Sequence, residues 1–253
     1  MKPPLPPLLD PIRHGSAIRN GEELALDASV MKALALRGVN VKEAFTLVDA
    51  GGVFWRASLK AGSDAGGRAV AYERMHGSPE SPAAITLVCA VLARQRMIFV
   101  AQKATELGVV RIVPVLSDKS VQPKDLEHEK PWAWRGQALK GAKQCRRASV
   151  PEVLEPMPLA KALDAPFWTE ADHRLVLDDV AGADPLPKAG EGPAERSIVL
   201  AVGPEGGWSD RERKLLAERG ALSLALGTRV LRAETAVLAG LAIVQHRFGD
   251  LRP

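Results

Sequence analysis

The chain of 253 residues has only two cysteines, Cys89 and Cys145. Two distant thiols cannot build a disulfide framework or a thiolate metal cluster, and both are expected to be buried in a reducing compartment. Nowhere is there a run of about eighteen apolar residues, the length a membrane-crossing helix needs. The opening, Met1-Lys2-Pro3-Pro4-Leu5-Pro6-Pro7, lacks the apolar core of a secretory signal and reads as a loose terminus. The expected location is therefore the cytoplasm. Phosphate fingerprints are also missing: there is no G-x-x-x-x-G-K-[ST], no G-x-G-x-x-G and no acidic residue spaced to hold a ribose. That disfavours a pyrophosphate ligand and favours a neutral or cationic nucleoside.

What is present divides the chain in two. Short apolar runs over 44–48, 53–59 and 68–72, separated by Asp49-Ala50-Gly51-Gly52 and Ala65-Gly66-Gly67, predict a small β-domain. One helix interrupts it, capped by Asp27 and carrying Val30, Leu34 and Ala35 inward. The Gly, Ser and Pro content of 76–82 marks a linker. Beyond it strands over 85–92, 109–115, 150–154 and 174–177 alternate with helices, one of them over 131–147, and this argues for a parallel, helix-covered sheet. The Gly-, Pro- and Ala-rich stretch 181–195 reads as an excursion within that domain. The division expected is 1–76 and 84–253.

Two glycine turns follow apolar runs and open helices. Ile198-Val199-Leu200-Ala201-Val202 leads into Gly203-Pro204-Glu205-Gly206-Gly207-Trp208-Ser209, where Ser209 and Glu212 have capping-box spacing and Gly220 stands where a left-handed residue would end the helix. A strand over 222–226 leads into Gly227, and Val237, Leu241, Val244 and Phe248 form the apolar stripe of a helix ending before Gly249. Both turns then lie at the carboxyl edge of one sheet, where open α/β sheets bind ligands. A lone Gly-Pro-x-Gly-Gly is more often a tight turn than a ligand loop, by roughly three to one. The pair changes those odds, and backbone groups beside Leu226, Val230 and Leu231 can hydrogen-bond an adenine edge while the side chains cover its faces.

Charge is informative locally. The net charge of +4 is mild evidence for a nucleic-acid partner. Between Lys130 and Arg147, however, Lys130, Arg135, Lys140, Lys143, Arg146 and Arg147 stand with no acidic residue. On a helix Lys140, Lys143 and Arg147 share a face. Such a run is usually a solvated helix face. Trp132 and Trp134 open the same segment; aromatic rings beside cations stack on unpaired bases, although core packing is expected to claim at least one of them.

The segments Gly203-Pro204-Glu205-Gly206-Gly207 and Leu226-Gly227-x-Arg229-Val230-Leu231-Arg232-x-Glu234-Thr235-Ala236, with Lys103-Ala104-Thr105-Glu106-Leu107-Gly108-Val109 and the Gln144-Cys145 to Val150-Pro151-Glu152 stretch, resemble the RsmE family of SPOUT methyltransferases. The resemblance covers roughly residues 85 to 250. It implies transfer of a methyl group from S-adenosylmethionine to N3 of a uridine in 16S ribosomal RNA of the small subunit. It also implies a parallel sheet with a C-terminal trefoil knot, a small β-barrel-like (PUA-like) N-terminal RNA-binding domain, and a homodimer, for which the stripe of the last helix offers an apolar face that could equally be internal core. A knot is too rare to read from periodicity.

Under that resemblance the donor site comprises Leu177, Val202, Gly203, Pro204, Glu205, Gly207, Leu226, Gly227, Val230, Leu231, Thr235 and Ala236. Uracil N3 becomes a nucleophile only when its proton leaves and the charge spread over two carbonyl oxygens is stabilised. Arg232 is the candidate for that electrostatic role, the alternative being a salt bridge to Glu234 or Glu205 that only shapes the loop. Glu205 is a weaker candidate for assisting proton removal. No metal is expected, because the donor's sulfonium supplies the electrophile. Candidate RNA contacts are Arg13, Arg37, Lys140, Lys143, Arg146 and Arg147.

The chain departs from the family where RNA would be met. Met31 stands where a histidine is usual six residues before Arg37, Val41-Lys42 replaces a Gly-Asp turn, Lys143 stands in place of a glutamate, and Thr228 replaces the proline before Arg229. Three readings stay open: the uridine-N3 methyltransferase, a SPOUT enzyme with another RNA target, and a catalytically idle RNA-binding or assembly protein.

Overall fold

The computed structural model describes residues 10–178, 186 and 196–251. The proline-rich opening, and all of the 181–195 excursion except Leu186, lie outside the described residues. The chain forms two compact units, Met1–Glu80 with Ala142–Val150, and Ser81–Gly141 with Pro151–Pro253. The expected division kept 142–150 with the C-terminal part; those residues cluster with the N-terminal one.

The first unit holds β1 (Ile12–Arg13), β2 (Glu23–Asp27), α1 (Ala28–Leu36), β3 (Ala44–Val48), β4 (Phe54–Ser63) and β5 (Gly66–Arg74). Its curled five-stranded sheet runs β1-β3-β4-β5-β2 and is antiparallel except between β1 and β3. Asp27 caps α1, accepting from Val30 N at 2.9 Å, and Leu34 is fully buried. A buried carboxylate organises the β3–β4 turn. Asp49 accepts from the amides of Gly51 and Val53 at 2.9 Å, from Ile18 N at 3.3 Å and from Trp55 Nε1 at 3.1 Å. Burial, the largest single influence, raises its pKa, but those donors together outweigh it and hold the carboxyl below its ordinary value. Two short strands, β1 and β2, escape the sequence reading because neither carries a β-branched run.

The second unit contains β6 (Ala83–Ala90), α2 (Arg94–Glu106), β7 (Arg111–Leu116), 3-10 turns Pro123–Glu129 and Pro131–Ala133, α3 (Trp134–Gln144), β8 (Glu152–Val153), β9 (Met157–Pro158), α4 (Leu159–Leu163), α5 (Pro166–Thr169), β10 (His173–Leu177), β11 (Arg196–Val202), α6 (Asp210–Glu218), β12 (Leu222–Leu224) and α7 (Ala233–Phe248). α3 runs on past Gly141 into the first unit. The sheet runs β12-β10-β11-β6-β7-β8, with β9 also on β7, and every pair is parallel.

Both faces of this sheet are covered, so its strands are apolar on both sides. Ile85, Leu87, Ile198, Leu200 and Leu175 pack with Val100 and Ala104 of α2 and Val237, Leu241, Val244 and Phe248 of α7. The alternate residues Val88, Val113, Val176, Val199 and Ala201 pack with Leu159 and Leu163 of α4, Trp168 of α5 and Leu216 of α6. The stripe of α7 is therefore core, at 5% exposure or less, which is the second of the two roles expected of it, and not a dimer face. The expected helix over 131–147 begins as a 3-10 turn and ends at Gln144, and the strand over 150–154 is only Glu152–Val153.

Candidate functional site

Sheet order decides which residues meet. β11 and β12 are separated by β10, whose Leu177 pairs in register with Leu224 and whose Val176 pairs with Ala201. The glycine turns that follow β11 and β12 therefore flank the end of β10, and Leu177 lies between them. This sets the expected donor residues along one edge of one unit.

The first turn is built from its neighbours. Gly203 and Pro204 are buried, whereas Glu205 and Gly206 are exposed. A Cβ on Gly203 would stand 3.2 Å from the buried Trp208 indole, so that position is glycine because a ring lies against it and not because its backbone is left-handed. Gly207 does have positive φ, at 65°. Ser209 then caps α6 in a complete capping box with Glu212, and Gly220 ends that helix with φ of 77°. The turn is also gripped by the loop after β7: Lys119 Nζ donates to Gly206 O at 3.0 Å, Asp118 N donates to Glu212 Oε1 at 2.8 Å, and the Asp118 carboxylate accepts from Ser209 Oγ and Arg211. The Arg211 and Ser209 donors hold that carboxyl below its ordinary value. Nothing in the sequence reading placed this loop at the turn.

Gly227, in the second turn, has φ of 89° and open space where a Cβ would be. Leu226 and Leu231 are half-buried, and Val230 is 95% exposed. Arg232 is exposed and is the N-cap residue of α7, but it makes no side-chain cap, so the first-turn amides of the helix are left for another acceptor. Thr235 is exposed and Ala236 half-buried.

Across the edge, Arg96 of α2 forms an ion pair with Glu205 and approaches Glu234 Oε2 to 3.8 Å. That Glu234 oxygen is buried and has no hydrogen-bond partner. Glu205 and Glu234 are thus both met by Arg96, and neither forms the salt bridge to Arg232 that was the alternative for that residue. Cys89, at the end of β6, is fully buried, and burial together with Glu205 pushes its thiol up to about 12. It stays protonated and takes no part as a nucleophile. No cluster of metal-ligating side chains exists among the described residues.

The expected RNA contacts fall into two groups. Arg13 and Lys140 are exposed. Arg37 is buried and donates to the carbonyls of Ala33 and Asp10, and burial lowers its pKa. Lys143 bonds Glu43 at 3.0 Å and Gly38 O at 2.9 Å, Arg146 bonds Glu73 at 3.1 Å, and Arg147, 3% exposed, donates to Glu80 at 2.7 Å. Glu80, read as linker, also accepts from Ala148 N, Ser149 N and Ser149 Oγ. Of the two tryptophans, Trp134 is core and Trp132 is 62% exposed.

The model for an RNA methyltransferase domain matches residues 79–245. Ribosomal RNA small subunit methyltransferase E of Aquifex aeolicus is 32% identical over 148 residues, 58% of this chain and 61% of that protein, so the match spans less than two thirds of the relative. The protein of the same name from Buchnera aphidicola subsp. Schizaphis graminum is 31% identical over 68% of this chain and 69% of its own length. Among solved structures, a ribosomal RNA small subunit methyltransferase E from Neisseria gonorrhoeae bound to S-adenosyl methionine superposes with a TM-score of 0.64 at 29% identity, covering 96% of this chain and all of that one. With the glycine turns aligned on one sheet edge and more than half of the chain inside the domain match, the chain belongs to the ribosomal RNA small subunit methyltransferase E family.

Proposed function

We propose that the protein transfers a methyl group from S-adenosylmethionine to N3 of a uridine in 16S ribosomal RNA, within the small ribosomal subunit or its precursor. The observation that carries this reading is the placement of both glycine turns on either side of Leu177. The site residues fit the donor: Gly227 leaves open space beside Leu226, the first turn of α7 is uncapped, and Glu234 keeps a buried oxygen without a hydrogen bond. In that reading Leu177, Leu226, Val230 and Leu231 cover the adenine faces. Backbone groups from Val202 to Gly207 and at Gly227, Thr235 and Ala236 take its polar atoms. When bound, the donor supplies an electrophilic methyl on a sulfonium. Arg232 stabilises the uracil anion as the N3 proton leaves. Glu205 is the weaker candidate for assisting removal of that proton.

The same reading includes a trefoil knot in the second unit, a PUA-like role for the curled sheet, action in the cytoplasm, and a homodimer in which a second copy covers exposed apolar surface such as Val230. No described helix is long and apolar enough to cross a membrane. A second reading, a methyltransferase with another RNA target, is favoured by one observation: four of the six cations expected at RNA are buried or ion-paired within the first unit. An idle RNA-binding protein is the third. Nucleoside mass spectrometry of 16S RNA after gene deletion separates them. Loss of 3-methyluridine is expected; loss of a different methylated nucleoside supports the second reading, and no loss supports the third.

A further inference from the structure

Arg96 has no assigned role, yet it meets an acid from each of the two glycine-turn segments. It lies in the first turn of α2, bonds Glu205 at the tip of the first glycine turn, and sits 3.8 Å from the buried Glu234 Oε2 at the head of α7. The root of the first turn is fixed without it, by Trp208 under Gly203, by the capping box and by Lys119 on Gly206 O. The Glu205–Gly206 tip is closed by Gly207 N donating to Pro204 O at 2.8 Å, and Ala233 at the start of α7 is buried in the core, but among the described residues only Arg96 pairs with both the Glu205 and the Glu234 carboxylates. We propose that Arg96 is a positioning residue that joins the tip of the first turn to the start of α7 and so sets the width of the donor pocket. The proposal rests on the reading of this edge as the donor site.

The ion pair is more than a third exposed on each side, so its contribution to global stability is small. Its effect belongs to local geometry, where a misplacement of about 1 Å is costly. Isothermal titration calorimetry with S-adenosylmethionine on the full chain tests this, using wild type, Arg96→Ala, Arg96→Lys, Glu205→Gln and the double variant Arg96→Ala/Glu205→Gln. We expect Arg96→Ala to weaken donor binding by about tenfold with a melting temperature near wild type, and Arg96→Lys to recover part of the loss. Two residues that act as one device are non-additive, so the double variant should bind about as well as Arg96→Ala alone. RNA affinity, measured by filter binding, should not change. Donor affinity equal to wild type in Arg96→Ala overturns the proposal, as does a loss confined to RNA binding or full additivity in the double variant. If wild type itself fails to bind the donor, it is the functional reading that fails. Should Arg96→Ala not fold, the near-isosteric Glu205→Gln, expected to weaken donor binding in the same direction, carries the decision.

Discussion

Single side chains carry the clearest predictions. Arg147 is sealed from water and its charge is met by Glu80, and breaking such a pair from one side strands a buried charge. Glu80→Ala should therefore cost about 3 kcal/mol by denaturant titration, whereas a value within experimental error of zero would mean that the guanidinium escapes to solvent. Asp49 gives a pH signature. Its folded pKa lies below the ordinary value, so its contribution is complete above about pH 3.9 and is lost as the pH falls through the lowered folded value. Asp49→Asn should cost about 1–3 kcal/mol at neutral pH, through acceptors lost to buried donors, and should flatten the acid limb of the stability curve; an unchanged limb assigns acid unfolding to other groups. Arg232→Ala should lower the single-turnover methylation rate by about a hundredfold while sparing RNA affinity, and a wild-type rate removes its catalytic role. None of the Glu80 contacts was legible beforehand, because a linker composition says nothing about which backbone amides fold back on it. The Gly203 environment was also hidden, since its neighbour Trp208 meets it through the turn.

At the scale of elements, local signals read well and long-range ones did not. Ser209 and Glu212 announced the α6 cap three residues apart, and the structure has the complete box; Ser209→Ala should destabilise by about 1 kcal/mol, as thermal unfolding would reveal. The β3 run Ala44–Val48 was found at its full length. By contrast α4 and α5, five and four residues long, are too short to show a helical period. The stripe of α7 was legible as an apolar face, but not whether core or a second copy covers it, since periodicity marks a face as buried without naming what buries it. The basic segment shows the same limit: its cations are at helical spacing, yet three of them are consumed by Glu43, Glu73 and Glu80. If exposed Lys140 contacts a phosphate, Lys140→Ala should reduce the salt slope of RNA binding by about 0.7, and Lys143→Ala should leave it nearer to wild type. Equal slopes for all three proteins would make the whole segment a solvated face.

For the whole molecule, the carboxyl edge was legible because two glycine turns follow parallel strands, but the order β12-β10-β11 that sets Leu177 between them depends on pairing across long separations. Residues 142–150 cluster with the N-terminal unit, and nothing in their sequence advertises the acids of that unit that claim them. The homodimer is tested by sedimentation at micromolar concentration, where a single 27.1 kDa species would contradict it. The central claim is methyl transfer to uridine N3, and its most direct measurement is nucleoside mass spectrometry after incubating the purified chain with small ribosomal subunits lacking the modification and methyl-deuterated S-adenosylmethionine. The account predicts deuterated 3-methyluridine at one position of 16S RNA, formed about a hundredfold more slowly by Arg232→Ala. Label in another nucleoside, or none despite calorimetric binding of the donor, would contradict it.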